Sequence, residues 1–202
     1  MDLIFEDKSV KIDMRDCLKE VINEIPEDCS KSVTTPVAVY LFEVDNVQDK
    51  LSNDQKKIFH TFVAKLLFVS KRGRPDIHVA IAFLNTRVME PDEDDWKKLV
   101  RLTKYINGSI DIVLTLSVDD FSSIKWWVDS SYAPNQNCCS HTGGKMMMGQ
   151  GSIYSTSCKQ KTNTRSSTEA ELIGLLMSDT ILLSTMWQGR RSILSTVLLN
   201  TW

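Results

Sequence analysis

The hydrophobic pattern changes its period near Gly108, and this change constrains the fold more than any other feature of the chain. Between residues 54 and 107, apolar side chains recur every three or four positions, which is typical of amphipathic helices. After Gly108 they alternate or form short runs, which is typical of strands. Because the two patterns occupy separate parts of the chain, the sequence predicts an α+β fold with a boundary between residues 108 and 109.

The N-terminal part predicts a hairpin followed by helices. Residues 1–14 alternate apolar and polar side chains around a turn at residues 6–9. Helical spacing then predicts helices at residues 15–25, 54–70, 76–89 and 90–108. The second helix should bury Ile58, Phe62, Leu66 and Val69, and the last should bury Trp96, Leu99, Val100, Thr103 and Ile106. We interpret the acidic run at residues 90–95 as a solvated first helical turn rather than a metal site.

The C-terminal part predicts strands and one helix. Strands are expected at residues 111–118 and 124–131, and a hairpin at residues 143–161 should turn around Gly149, Gln150 and Gly151. A helix should follow, because Ser166 and Glu169 have the spacing of a capping box.

The composition is that of an ordinary soluble protein, with 42% hydrophobic and 25% charged residues. The longest apolar run is far shorter than the ~20 residues of a membrane span. We therefore expect no membrane association, and the first residues do not resemble a secretory signal.

Five cysteines without a CxxC pair favour a reducing intracellular compartment, cytoplasm or nucleus. The stretch CCSH at residues 138–141 is interpreted as a loop, because zinc requires four suitably spaced ligands.

Charge is distributed unevenly along the chain. Residues 121–202 carry seven Lys and Arg against four Asp and Glu, whereas the first 120 residues are net acidic. A mildly basic C-terminal part is compatible with a phosphate backbone as partner.

Carboxylates on two separate predicted elements could form a metal site. Asp129 ends a strand that holds Trp126 and Trp127, and Glu169 and Glu171 lie near the start of the following helix. Oxygen ligands converging from different elements are what Mg²⁺ requires. Two structural interpretations remain open, since Asp129 could be a turn residue and the glutamates could cap the helix.

Three stretches resemble the ribonuclease H region of copia-type retrotransposon polyproteins: KWWVDSSYA, SHTGGKMMMGQGSIYSTSCKQK and NTRSSTEAEL. Residues 64–88 and 95–116 resemble the segment that joins the reverse transcriptase palm to that region. MDLIFE resembles the chain just after the catalytic hairpin of the palm. The resemblance covers roughly residues 1–174.

The resemblance implies a fold and an activity. Residues 1–108 would be a helical connection region with a strand pair, and residues 109–202 an incomplete ribonuclease H-like mixed sheet with a packed helix and a divergent tail from about residue 175. The ancestral activity would be Mg²⁺-dependent hydrolysis of RNA in RNA–DNA hybrids. Asp129 and Glu171 would be the catalytic metal ligands, with Glu169 on another side of the helix. Lys159, Gln160, Lys161 and Arg165 would approach the nucleic-acid backbone, and a solvated basic loop is the alternative.

The sequence also departs from the family pattern. The catalytic motif of the palm is absent, so we expect no polymerisation by this chain. A third aspartate on a later strand is missing, since Asp179 follows Glu171 along the same helix at about 12 Å. Residues 192–202 could form a strand but offer Asn200 where a carboxylate is required. We therefore expect impaired hydrolysis, with a non-catalytic nucleic-acid-binding remnant or an unstable product as alternatives, and with other polyprotein parts as further partners.

Overall fold

The computed structural model describes residues 1–38, 40–44, 48–119, 124–134, 138–188 and 198–200, with side chains described as far as residue 177. The described part of the chain is a mixture of α-helices and two β-sheets, which confirms the α+β class. It divides into two compact units. Unit 1 contains Met1–Phe5 and Lys11–Leu114, and unit 2 contains Glu6–Val10 and the described residues from Thr115 onward. The predicted domain boundary between residues 108 and 109 stays a prediction.

The predicted N-terminal hairpin is present. Strand β1 (Asp2–Glu6) is joined by a turn at residues 7 and 8 to strand β2 (Ser9–Asp13). Strand β3 (Leu114–Ser117) completes a three-stranded sheet with the order β1-β2-β3. Strand β1 is an edge strand of this sheet, and every one of its residues is exposed.

Unit 1 contains four of the helices: α1 (Arg15–Glu24), α2 (Asn53–Arg72), α3 (His78–Arg87) and α4 (Glu93–Gly108). The predicted stripe of α2 is wrong at one position. Ile58 is 38% exposed, and Phe59 is buried in its place. Phe59, Phe62 and Leu66 follow the i, i+3, i+7 spacing of one helix face, which Ile58 misses by one residue.

Helix α4 buries most of its predicted inner face, whereas Val100 is only half-buried and Leu102 is buried instead. The prediction that its acidic first turn is solvated is wrong for Asp92 and Asp95, which are both buried. Each receives a hydrogen bond from the Arg87 guanidinium, and they cap the helix reciprocally. The positive charge of Arg87 on α3 offsets the free-energy cost of burying these two carboxylates.

Unit 2 is built on a four-stranded sheet of β4 (Lys125–Ser131), β5 (His141–Met147), β6 (Tyr154–Lys159) and β7 (Leu198–Asn200). The strand order is β6-β5-β4-β7. Strands β4, β5 and β6 are antiparallel neighbours, and β7 runs parallel to β4 with Asn200 opposite Trp127. Helix α5 (Ser167–Gln188) precedes β7 along the chain and contacts β4 and β5.

The hairpin between β5 and β6 turns at the predicted glycines. Gly151 has a φ of 83°, in the left-handed region that favours glycine. A Cβ at Gly151 would also overlap the Thr115 carbonyl oxygen. The backbone N–H of Ser117 donates to the Gln150 carbonyl at 2.9 Å, so this turn is bonded to the end of β3.

Candidate functional site

Asp129 lies near the end of β4, on the face of the sheet that the core does not use. Trp126 and Val128 are buried with Met146 in the core of unit 2, whereas Asp129 is exposed. Because side chains alternate along a strand, Asp129 projects from the opposite face to Val128 and Ser130. Its Oδ1 accepts a hydrogen bond from the backbone N–H of Ser130 at 2.9 Å.

Helix α5 covers the other face of β4. Leu175 packs against the cluster of Trp126, Val128 and Met146. Gly174 approaches Ser130 so closely that a Cβ at position 174 would overlap the Ser130 hydroxyl. The small side chains on both elements therefore allow the helix to sit directly on the end of β4.

Glu171 lies on α5 about one turn before Gly174, and its side chain is exposed. The contact between Ser130 and Gly174 therefore brings the backbones near Asp129 and Glu171 into the same region. The Asp129 side chain projects from the face of β4 that points away from α5. The structure therefore places the two elements that carry the predicted carboxylates next to each other, with the Asp129 side chain on the face of β4 that α5 does not cover.

The donor set fits Mg²⁺ only in part. Carboxylate oxygens are ligands that this ion prefers. Across the residues that the structure describes, however, no group of three or more His, Cys, Asp and Glu side chains is placed to hold a metal ion. Binding of Mg²⁺ by Asp129 and Glu171 stays a prediction.

Glu169 caps helix α5. Its backbone N–H donates to Ser166 Oγ at 3.2 Å, and its carboxylate accepts from the backbone N–H of Arg165 at 2.7 Å. The predicted capping by Ser166 is confirmed, although the carboxylate reaches one residue beyond the cap. Because Glu169 is used in this way, Glu171 is the glutamate of this helix turn that stays accessible to a ligand.

Gln160 departs from its predicted role at the nucleic-acid backbone, because its side chain is only 1% exposed. Its Nε2 donates to Thr142 Oγ1 and to the Ala170 carbonyl, each at 2.8 Å. It thus ties the first turns of α5 to strand β5. Gln160 is therefore enclosed where α5 begins, while Lys159, Lys161 and Arg165 remain exposed.

The face of the sheet that carries Asp129 also carries three lysines: Lys125, Lys145 and Lys159. Trp127 is paired with Lys145 across β4 and β5, and alternation places Lys125 and Asp129 on the same face. Lys159 joins them because it pairs with His141, which in turn pairs with Ser131. Sequence reasoning missed Lys125 and Lys145, since the strand register is needed to place them together.

The side chains of Cys139 and His141, in the stretch at residues 138–141, have separate hydrogen-bond partners. The Cys139 thiol donates to Asn163 Oδ1 at 2.9 Å, and His141 Nε2 is 2.7 Å from Ser157 Oγ. Their polar atoms therefore serve separate hydrogen bonds rather than converging on one point.

The described structure is that of a mixed α/β protein. The face of its sheet that carries Asp129 and the three lysines is not covered by α5, and we call it the open sheet face. The chain is similar to the retrovirus-related Pol polyprotein from transposon RE2 of Arabidopsis thaliana, with 32% identity over 99 residues. The match covers 48% of this chain and 7% of that polyprotein, so the chain spans only a small part of its relative's length. The similarity supports an origin in a retrotransposon polyprotein.

No protein-family model and no solved structure matches the chain. Among the described residues, every helix falls short of the combined length and hydrophobicity that a membrane crossing demands.

Proposed function

We propose that this chain is a fragment of a retrotransposon Pol polyprotein whose unit 2 is a ribonuclease H-like module with impaired hydrolytic activity. Residues up to about 108 would form the connection region of that polyprotein. The observation that carries the proposal is the mixed sheet β6-β5-β4-β7 with α5 packed against it, in a chain similar to a Pol polyprotein. The proposed substrate class is RNA–DNA hybrid.

The impairment follows from the carboxylates that the sheet provides. Two-metal hydrolysis requires several carboxylates around one point. Asp129 and Glu171 are the two exposed carboxylates of the proposed site, and the neighbouring parallel strand β7 has Asn200 opposite Trp127. An asparagine lacks the negative charge that a divalent ion requires for tight binding.

The test is an assay of a labelled RNA–DNA hybrid with Mg²⁺ and with EDTA. Parent chain, Asp129→Asn and Glu171→Gln are compared with Asp54→Asn, a matched change at an exposed carboxylate of α2. We expect no cleavage above background in any of them. Mg²⁺-dependent cleavage by the parent and by Asp54→Asn, lost in the other two variants, would overturn the impairment and establish the two carboxylates as catalytic.

A second candidate function, non-catalytic binding of nucleic acid, is favoured by the three lysines on the open sheet face. Phosphates bound by lysine release counterions, so binding should weaken steeply as salt rises. Fluorescence anisotropy of the labelled hybrid at several salt concentrations measures this slope. An affinity that does not change with salt concentration, or that requires Mg²⁺, would exclude binding through phosphate contacts of these lysines.

A further inference from the structure

Two adjacent cysteines precede strand β5 and differ sharply in environment. Cys138 is exposed, and its φ of 56° is left-handed, which is uncommon for any residue with a side chain. Cys139 is only 8% exposed, and its thiol donates to the Asn163 side-chain oxygen at 2.9 Å. An accessible thiol therefore stands next to a thiol that has a structural role.

The hydrogen bond of Cys139 holds the loop of residues 160–166, which joins β6 to α5. The next residue holds the same loop, because Ser140 Oγ lies 2.6 Å from Thr164 Oγ1. The Ser140 carbonyl also accepts from the Gln160 backbone N–H at 2.8 Å. Residues 139 and 140 therefore hold a loop that also carries the exposed Lys161 and Arg165.

We propose that Cys138 and Cys139 form an oxidative modification site that controls this loop. In the first step hydrogen peroxide accepts an electron pair from the exposed Cys138 sulfur, its O–O bond breaks, and a sulfenic acid and one water form. The Cys139 sulfur then attacks the Cys138 sulfur, a second water leaves, and a disulfide forms between neighbours. One peroxide is reduced to two waters while two thiols are oxidised.

The disulfide removes the proton that Cys139 shares with Asn163. The loop then keeps the contacts of Ser140 and the cap of α5 but loses the hydrogen bond between Cys139 and Asn163. One net hydrogen bond corresponds to about a fivefold change in a local opening equilibrium. Reduction of the disulfide restores the thiol and this hydrogen bond. This inference does not depend on the proposed function, since it concerns only loop opening.

Mass spectrometry tests the modification directly. Trypsin releases residues 126–145 as one peptide, and Cys138 and Cys139 are its only cysteines. The chain is treated with peroxide, alkylated while unfolded, and digested. We expect this peptide to escape alkylation and to be about 2 Da lighter than its dithiol form, the loss of two hydrogens. An alkylated peptide, or one joined to a different cysteine, would overturn the proposal.

Limited trypsin digestion of the folded chain tests the control of the loop. Cleavage after Lys161 and Arg165 should rise about fivefold after oxidation and fall again after reduction. Cys138→Ser should show no rise, because the disulfide cannot form. Cys139→Ala should be cleaved faster even without peroxide, whereas Cys139→Ser keeps a hydroxyl donor and should resemble the parent. Equal cleavage of Cys139→Ala and Cys139→Ser would show that the Cys139 donor does not restrain the loop.

Discussion

Gly174 of helix α5 lies directly against Ser130 of strand β4, with no room between them for a methyl group. The Ser130 hydroxyl is also 3.2 Å from Thr142 Oγ1 on the neighbouring strand. This close contact limits how near α5 can approach the sheet. It therefore sets the position of the helix turn that carries Glu171.

Gly174→Ala is expected to destabilise unit 2 by about 1–3 kcal/mol, because the added methyl group overlaps Ser130. The loss should appear despite the better helix propensity of alanine, about 1 kcal/mol. Hydrogen exchange of β4 and α5 measures the effect. The double variant Gly174→Ala with Ser130→Ala should recover much of the lost stability. The control is Leu176→Ala, a change at an exposed position of the same helix, which should reduce stability little. Lack of recovery in the double variant would contradict the proposed overlap.

Gln160→Met is expected to loosen the first turns of α5 by about 1–3 kcal/mol. Methionine fills a similar volume but cannot donate, so the Ala170 carbonyl and the Thr142 hydroxyl each lose the hydrogen bond from Gln160. Amide exchange in α5 is the measurement. Gln150→Met is the matched control, because Gln150 is exposed. Similar exchange rates in the two variants would show that the Gln160 amide does not hold the helix.

The stability of unit 1 should fall on acidification because of His78. Burial, aided by the positive charge of Lys71, lowers the pKa of His78 below 6.5. The unfolded chain therefore takes up this proton at a higher pH than the folded chain. The contribution of His78 is complete above about pH 6.5 and is lost as pH falls from there through the lower folded pKa.

The free energy of unfolding of unit 1 is measured by urea unfolding at pH 7.5 and at pH 5.5. Hydrogen exchange of α2 and α3 at the same two pH values reports the local effect. His78→Asn keeps an acceptor near Ser70, which lies 3.2 Å from His78 Nδ1, but cannot gain a proton. It should lose less stability than the parent between the two pH values. His60→Asn, a change at an exposed histidine, should behave like the parent. An unchanged pH dependence in His78→Asn would assign the acid sensitivity to other groups.

Lys145→Gln is expected to weaken nucleic-acid binding about uniformly across sequences and to reduce the salt slope by about 1, if the open face of the sheet binds phosphates. Lys145 is exposed beside Trp127 on this face. Lys57→Gln removes the same charge from α2 in unit 1 and should leave the slope unchanged. Equal effects of both variants would point to attraction by net charge rather than to this surface.

Sequence patterns predicted the elements better than they predicted burial at single positions. The change of period near Gly108, the glycine turn between β5 and β6, and the cap of α5 by Ser166 all depend on nearby residues. Ile58 was misplaced because a period of 3.6 leaves a one-residue ambiguity at a helix start. The acidic start of α4 looked solvated because its partner, Arg87, belongs to another helix.

Gln160 shows why the candidate site could be predicted only in part. Between two lysines it looks like a surface residue, and only the docking of α5 encloses it. The placement of Lys125, Lys145 and Lys159 on the same sheet face as Asp129 likewise required the register of three strands.

The amino-acid sequence by itself determined the order of helices and strands, their caps and turns, and the similarity to a retrotransposon polyprotein. Those features depend on residues within about one or two helical turns of each other. The tertiary structure alone decided which face of the sheet α5 covers, and therefore that Asp129 projects from the face opposite to the helix that carries Glu171. Strand register and helix docking bring together residues that are far apart in the chain, so no local pattern encodes their result.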